Sequence, residues 1–102
     1  MGLFGRSKEI ALPKVSDLFS VGALEFVTTT VAPKVANGEY GVKYGDVAKT
    51  LLNAVNSPDK ELTKRELNGV IFSAGAMTKI EPKLAPVLNE AIARFKAFKK
   101  QK

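Results

Sequence analysis

The sequence contains no cysteine and no histidine. Without cysteine the chain cannot form a disulfide, a thiolate nucleophile, or a cysteine-ligated zinc or iron–sulfur site. Without histidine it lacks the commonest general base and the commonest ligand of transition metals. Carboxylates, lysines and two tyrosines are therefore the main groups left for acid–base chemistry.

Long apolar runs and targeting signals are also lacking. The longest charge-free run, residues 67–78, is interrupted by polar residues and glycines, and a spanning helix needs about 20 apolar residues. The opening MGLFGRS approaches a myristoylation pattern, but Arg6 stands where Ser or Thr is required, so we predict an unmodified Gly2. With no signal peptide visible, we expect no transmembrane segment and an intracellular (cytoplasmic) or particle-borne protein.

The positive charge is concentrated at the two ends of the sequence. The net charge is +6, yet residues 9–93 hold nine Lys or Arg against ten Asp or Glu. Residues 1–8 contribute +2 and residues 94–102 contribute +5. Since a polyanion is attracted by clustered cations, the predicted nucleic-acid-binding residues are Arg94, Lys96, Lys99, Lys100 and Lys102.

The composition is that of one globular domain, with 45% hydrophobic and 25% charged residues. We predict an N-terminal arm over residues 1–14, a single helical domain over 15–99 and a basic tail over 100–102. Leu3 and Phe4 in the arm either pack loosely on their own domain or dock on a neighbouring subunit, and they are predicted protein-interface residues.

The first predicted helix covers residues 17–31, with Ser16 or Asp17 as its cap. Its β-branched end and the Asn37-Gly38 pair also fit a hairpin within residues 27–44, which gives α+β as the alternative fold. Pro33 argues against that hairpin. A third possibility is a kinked helix that continues to Asn37 and is closed by Gly38.

Three further helices are predicted. After a glycine-punctuated connector over residues 39–45, a second helix covers 46–56 with Asp46 as its cap. A third covers 64–77, because Thr63 and Glu66 form a capping-box pattern. Its glycines and alanines suggest that a neighbouring helix approaches closely. A fourth covers 84–99, so the predicted fold is a small all-α domain of about four helices.

The last predicted helix has an apolar stripe beside its cations. The stripe consists of Leu84, Leu88, Ala91, Phe95 and Phe98, at helical spacing. Phe95 and Phe98 lie among the lysines. They are either core residues or protein-interface residues, and we predict that they are interface residues.

Known sites for metals, duplex DNA and catalysis fit poorly. An EF-hand alignment would place Val55 at the first ligand position and Lys60 at the required glycine. The turn over residues 56–62 is longer than a helix-turn-helix uses. Lys64 and Arg65 could meet phosphates, but neighbouring glutamates suggest an ordinary solvated face. Scattered carboxylates and the absence of a phosphate-binding glycine motif predict no enzyme, no metal and no cofactor.

Three functions agree with this charge distribution. The first is a non-enzymatic structural or interaction protein, a subunit of a larger assembly such as a viral particle or nucleoprotein. Its neutral body would pack on other protein subunits, its own copies or different chains, while the basic end contacts nucleic acid. The second is a free-standing nucleic-acid-binding module, and the third is a peripheral protein on an anionic membrane surface. No small-molecule substrate is expected.

The same cations also have a purely structural explanation. Lysines in the last turn of a helix complement its dipole by roughly 0.3 to 1 kcal/mol, and a lysine-rich end favours solubility. The sequence does not decide between this explanation and a polyanion-binding role.

Overall fold

The computed structural model describes residues 12–100, and all of their regular structure is helical. The helices are α1 (Val15–Leu18), α2 (Val21–Ala36), α3 (Gly41–Asn56), α4 (Lys64–Ile80) and α5 (Ala85–Lys100), with a 3₁₀ turn at Pro82–Leu84 before α5. The predicted all-α fold is confirmed. No strand occurs within residues 12–100, so the hairpin alternative is wrong.

The first predicted helix is two helices in the structure. Ser20 has extended backbone angles, φ −70° and ψ 164°, and its hydroxyl accepts a hydrogen bond from the Ala23 amide at 3.1 Å. Because a capping serine begins a helix rather than lying inside one, α1 ends before it and α2 begins after it. The predicted end at residue 31 is also wrong, since α2 continues through Pro33 to Ala36. The alternative of a helix that continues to Asn37 and is closed by Gly38 agrees with the structure, where Asn37 is the C-cap and Gly38 has a φ of 68°.

The second predicted helix begins five residues earlier than expected, at Gly41 instead of Asp46. Gly38 and Gly41 both have positive φ, 68° and 70°, which glycine adopts without steric cost. The chain therefore reverses within a short turn between α2 and α3. Most of the predicted connector is helical, and Tyr44 lies in the first turn of α3.

The start of α4 matches the prediction. The Thr63 hydroxyl accepts a hydrogen bond from the Glu66 amide at 3.1 Å, and the Glu66 carboxylate accepts one from the Thr63 amide at 2.9 Å. This second bond is the main cause of a lowered pKa for Glu66, because it favours the charged form. The helix extends to Ile80, three residues beyond the predicted end.

Helix α4 lies between α3 and α5, while α2 packs on α3 and α1 contacts both α3 and α5. The Ser16 amide also donates to the Pro58 carbonyl at 2.9 Å, which ties α1 to the turn between α3 and α4. The core comes from every helix, and its largest fully buried side chains are Leu51, Leu67, Met77, Leu84, Leu88, Val15, Val27 and Val31.

The glycines of α4 do not have the packing role that the sequence suggests. A Cβ built on Gly69 or Gly75 would meet no heavy atom within 4 Å. The expectation that a neighbouring helix approaches closely at these two glycines is therefore wrong. Ala74 between them is fully buried and is a packing residue.

One buried carboxylate connects the end of α2 to the segment before α5. Glu81 is 6% exposed; its carboxylate forms an ion pair with Lys34 and accepts a hydrogen bond from the Tyr40 hydroxyl at 3.0 Å. The Lys34 hydrogen bond lowers the pKa of Glu81 despite its burial. Burial, and then the bond to Glu81, raise the pKa of Tyr40. This contact joins chain segments that are more than 40 residues apart.

Candidate nucleic-acid interface

The predicted nucleic-acid-binding residues that the structure describes, Arg94, Lys96, Lys99 and Lys100, lie in the carboxyl-terminal half of α5. Lys96, Lys99 and Lys100 are exposed on its last turns. Because α5 includes Lys100, the predicted boundary of a tail at residue 100 falls inside the helix. Lys102 lies outside the described residues, as do the predicted interface residues Leu3 and Phe4.

The apolar side of α5 anchors these lysines to the body. Leu88 and Ala91 are fully buried, and Phe95 is 7% exposed within the hydrophobic core. Phe95 therefore offers little surface to a partner, and its position does not fit the predicted interface role. Phe98 is only partly buried, so contact between it and a partner stays a prediction.

Arg94 differs from the lysines because it already has partners. Its guanidinium lies 2.8 Å from the Glu90 carboxylate and also donates to the Leu18 carbonyl at 3.4 Å. The Glu–Arg spacing of four residues is a known helix-surface pair, so the sequence carried this signal. Arg94 links α5 to α1, and its charge is partly neutralised.

The fold brings a further lysine to this end. Lys64, the first residue of α4, lines the same small cleft of about 110 Å³ as Phe98 and Lys99. The two helices are antiparallel neighbours joined by a short connection, so the start of α4 lies beside the end of α5. The sequence pointed to Lys64 only as an isolated candidate, because its proximity to Lys99 is a property of the tertiary fold.

Within residues 12–100, the ammonium groups of Lys64, Lys96, Lys99 and Lys100 have no acidic partners. The ion pairs found within residues 12–100 join Lys34 to Glu81 and Arg94 to Glu90. No carboxylate in that part of the chain lies within 4.0 Å of the Lys64 ammonium group or of those at the end of α5. We name the cluster formed by Lys64, Lys96, Lys99 and Lys100 the basic end. Its chemistry suits the binding of an anion rather than catalysis.

A second surface feature was missed at the sequence level. An open groove of about 780 Å³ lies among α3, α4 and α5, and its lining residues are Tyr44, Ile71, Phe72, Gly75, Ala76, Lys79, Ile80 and Ile92. Phe72 is 73% exposed. Phe72 falls outside the apolar face that helical spacing predicts for α4. A large apolar residue off that face was the sequence signal for this exposed groove.

Other kinds of site find no support in the described part of the chain. Residues 12–100 contain no group of three or more His, Cys, Asp or Glu side chains arranged to hold a metal ion. None of the helices described here is long and apolar enough to cross a membrane. Comparison with protein-family models, with curated proteins and with solved structures found no match to this chain.

Proposed function

We propose that this chain is a non-enzymatic structural or interaction protein, a subunit of a larger assembly such as a viral particle or nucleoprotein, whose basic end contacts nucleic acid. The observation that carries the proposal is that Lys64 and Lys99 line one cleft, while Lys96 and Lys100 are exposed at the same end of α5. Among residues 12–100, no carboxylate lies within 4.0 Å of these four ammonium groups, and the body is otherwise nearly neutral.

Helix stabilisation alone does not account for this cluster. Lys99 and Lys100 lie in the last turn of α5, where a cation complements the helix dipole. Lys64 is the first residue of α4, and a cation at that end opposes the dipole. An anionic partner gives all four lysines a favourable contact, whereas the structural explanation fits only Lys99 and Lys100.

The core position of Phe95 also bears on the alternatives. Attachment to an anionic membrane gains most of its strength from apolar side chains inserted beside the cations. With Phe95 buried, a lipid surface would meet mainly lysines and bind weakly. Nucleic acid needs no such insertion, since phosphate neutralisation supplies most of its non-specific affinity.

Binding to a fluorescent DNA duplex, followed by anisotropy over a salt series, tests the proposal. If four phosphates are neutralised, the logarithm of the binding constant should fall against the logarithm of the salt concentration with a slope of about −3.6. The variant K64Q/K96Q/K99Q/K100Q should lose nearly all of this slope and bind at least about tenfold more weakly at low salt. Circular dichroism would check that its helices remain.

The matched control removes the same charge elsewhere, in the variant K43Q/K49Q/K60Q/K83Q. We expect it to retain most of the salt slope. If both variants weakened binding equally, net charge alone would explain the affinity and the basic end would not be a site. Co-sedimentation with vesicles of phosphatidylcholine and phosphatidylserine distinguishes nucleic-acid binding from attachment to an anionic membrane. The membrane alternative requires binding to vesicles at least as strong as binding to DNA.

A further inference from the structure

The groove among α3, α4 and α5 exposes apolar surface that the fold itself does not cover. Phe72 at its edge is 73% exposed, and Tyr44 on the opposite wall is 41% exposed. Ile71, Ile80 and Ile92 form its partly buried floor. Apolar side chains that line a groove on a folded protein form a surface that a complementary partner can cover.

Gly75 keeps the groove open. It lies in the interior of α4, where glycine is unfavourable for a helix, and a Cβ at this position would meet nothing within 4 Å. Within the described part of the chain, no close contact accounts for the glycine. The free space beside Gly75 and Ala76 can instead receive a side chain that comes from outside.

The charges around the groove restrict what can fill it. Among the described residues that line it, Lys79 is the only charged one and none is acidic. The ammonium group of Lys43 lies 5.4 Å from the centre of the Tyr44 ring, which adds a second cation near one wall. A complementary occupant is therefore an apolar ridge that carries a carboxylate.

Helix α2 of the same protein presents such a ridge. Val21 is 82% exposed and Phe26 is 38% exposed, while the exposed Glu25 is the only charged residue between them. Val21 and Glu25 are one turn apart on the helix and share a face, and Phe26 lies about 100° further round the helix from Glu25. We call the broad exposed strip formed by these three residues the α2 ridge. None of the three lines the groove, so a single copy can use both surfaces at once.

We propose that the groove binds the α2 ridge of a second copy of this chain, with Phe26 and Val21 against the groove floor and Glu25 paired with Lys79. Groove and ridge are different surfaces, so the contact is heterologous and can repeat from copy to copy into a ring or filament. This inference rests on the proposed role as an assembly subunit and names the contact between subunits.

Concentration-dependent mass, measured by sedimentation velocity with the full chain at about 0.15 M salt, tests the proposal. A single helix face in one groove makes a small interface, and small protein–protein interfaces are typically weak and transient. We expect a Kd on the order of 10 to 100 µM. The mass should rise across that range. Each single reversal, Lys79→Glu or Glu25→Lys, should weaken association about tenfold, because like charges then face each other.

The double variant E25K/K79E should recover association, since it restores opposite charges across the same contact. A second pair of variants tests the apolar part. Gly75→Leu fills the groove and should abolish association, whereas Gly69→Leu places the same side chain on the same helix beside a different depression. The Gly69 variant should associate like the original protein.

Four outcomes would overturn the inference: a mass independent of concentration, no recovery in the double variant, equal effects of the two leucine substitutions, or loss of association in K79E but not in E25K. The last would indicate a symmetric groove-to-groove dimer. Each leaves nucleic-acid binding at the basic end intact. Failure of the proposed function would appear separately, as DNA binding that does not depend on the four lysines of the basic end.

Discussion

At the scale of single residues, Glu81 is a buried carboxylate that joins distant parts of the fold. It is 6% exposed, and its bonds come from Lys34 at the end of α2 and from Tyr40 in the turn before α3. A buried carboxylate without partners would be costly. With two donors it holds the α2–α3 turn against the segment that leads into α5.

Glu81→Gln should lower the free energy of unfolding at pH 7 by about 1 to 2 kcal/mol, because hydrogen bonds to a charged group are replaced by weaker neutral ones. Urea unfolding followed by circular dichroism would measure it. The control Glu61→Gln, at an exposed site, should change stability by less than about 0.5 kcal/mol. Equal effects of the two would contradict the role of Glu81.

The pH dependence of stability follows from the same contact. The folded pKa of Glu81 lies below its unfolded value, so its stabilisation is present above the unfolded pKa and is lost as pH falls through the folded one. The folded pKa of Tyr40 is raised, so its stabilisation is present below pH 10 and is lost as pH rises further. Glu81→Gln should flatten the acid side of the profile, and Tyr40→Phe the alkaline side.

The residues of the basic end were only partly predictable. Lys96, Lys99 and Lys100 were found from sequence because a run of cations on one helix is a local feature. Lys64 joins them through the packing of α4 on α5, which no local pattern contains. Arg94 was grouped with the lysines because the clustering of charge was considered without its partner four residues earlier, Glu90.

At the scale of elements, a specific local signal was reliable. The capping-box pattern of Thr63 and Glu66 predicts a helix that starts at Lys64, and the structure agrees. The predicted starts of α2 and α3 were wrong. Ser20 interrupts a continuous apolar pattern, and the positive φ of Gly41 lets a helix begin where the glycines suggested a loop.

Helix α4 should gain stability when its first glycine is replaced. A Cβ at Gly69 meets nothing within 4 Å, so Gly69→Ala should add about 0.5 to 1 kcal/mol through helix propensity. That corresponds to a rise in Tm of roughly 2 to 6 °C, measured by thermal circular dichroism. Gly38→Ala is the matched control and should destabilise, because Gly38 has a φ of 68°. Destabilisation by Gly69→Ala would mean that the glycine has a packing role after all.

At the scale of the whole molecule, the net charge of +6 implies self-repulsion. Lys64 and Lys99 line the same small cleft without acidic partners among the described residues. Placing like charges together costs stability, and natural proteins retain such costs where binding requires them. We therefore expect the basic end to lower the stability of the free protein and to stabilise its complex with an anion.

Thermal unfolding at low and moderate salt would measure that cost. K64Q should be more stable than the original protein by about 0.3 to 1 kcal/mol at low ionic strength, because it removes a cation that opposes the dipole of α4 and lies beside Lys99. The difference should shrink at about 0.15 M salt, where the Debye length falls to about 8 Å. K49Q removes the same net charge from the interior of α3 and should gain less. If the two variants gained equally, the repulsion would belong to the molecule's overall charge; a larger gain in K64Q, together with weaker DNA binding, would show that Lys64 lowers the stability of the free protein and favours contact with an anion.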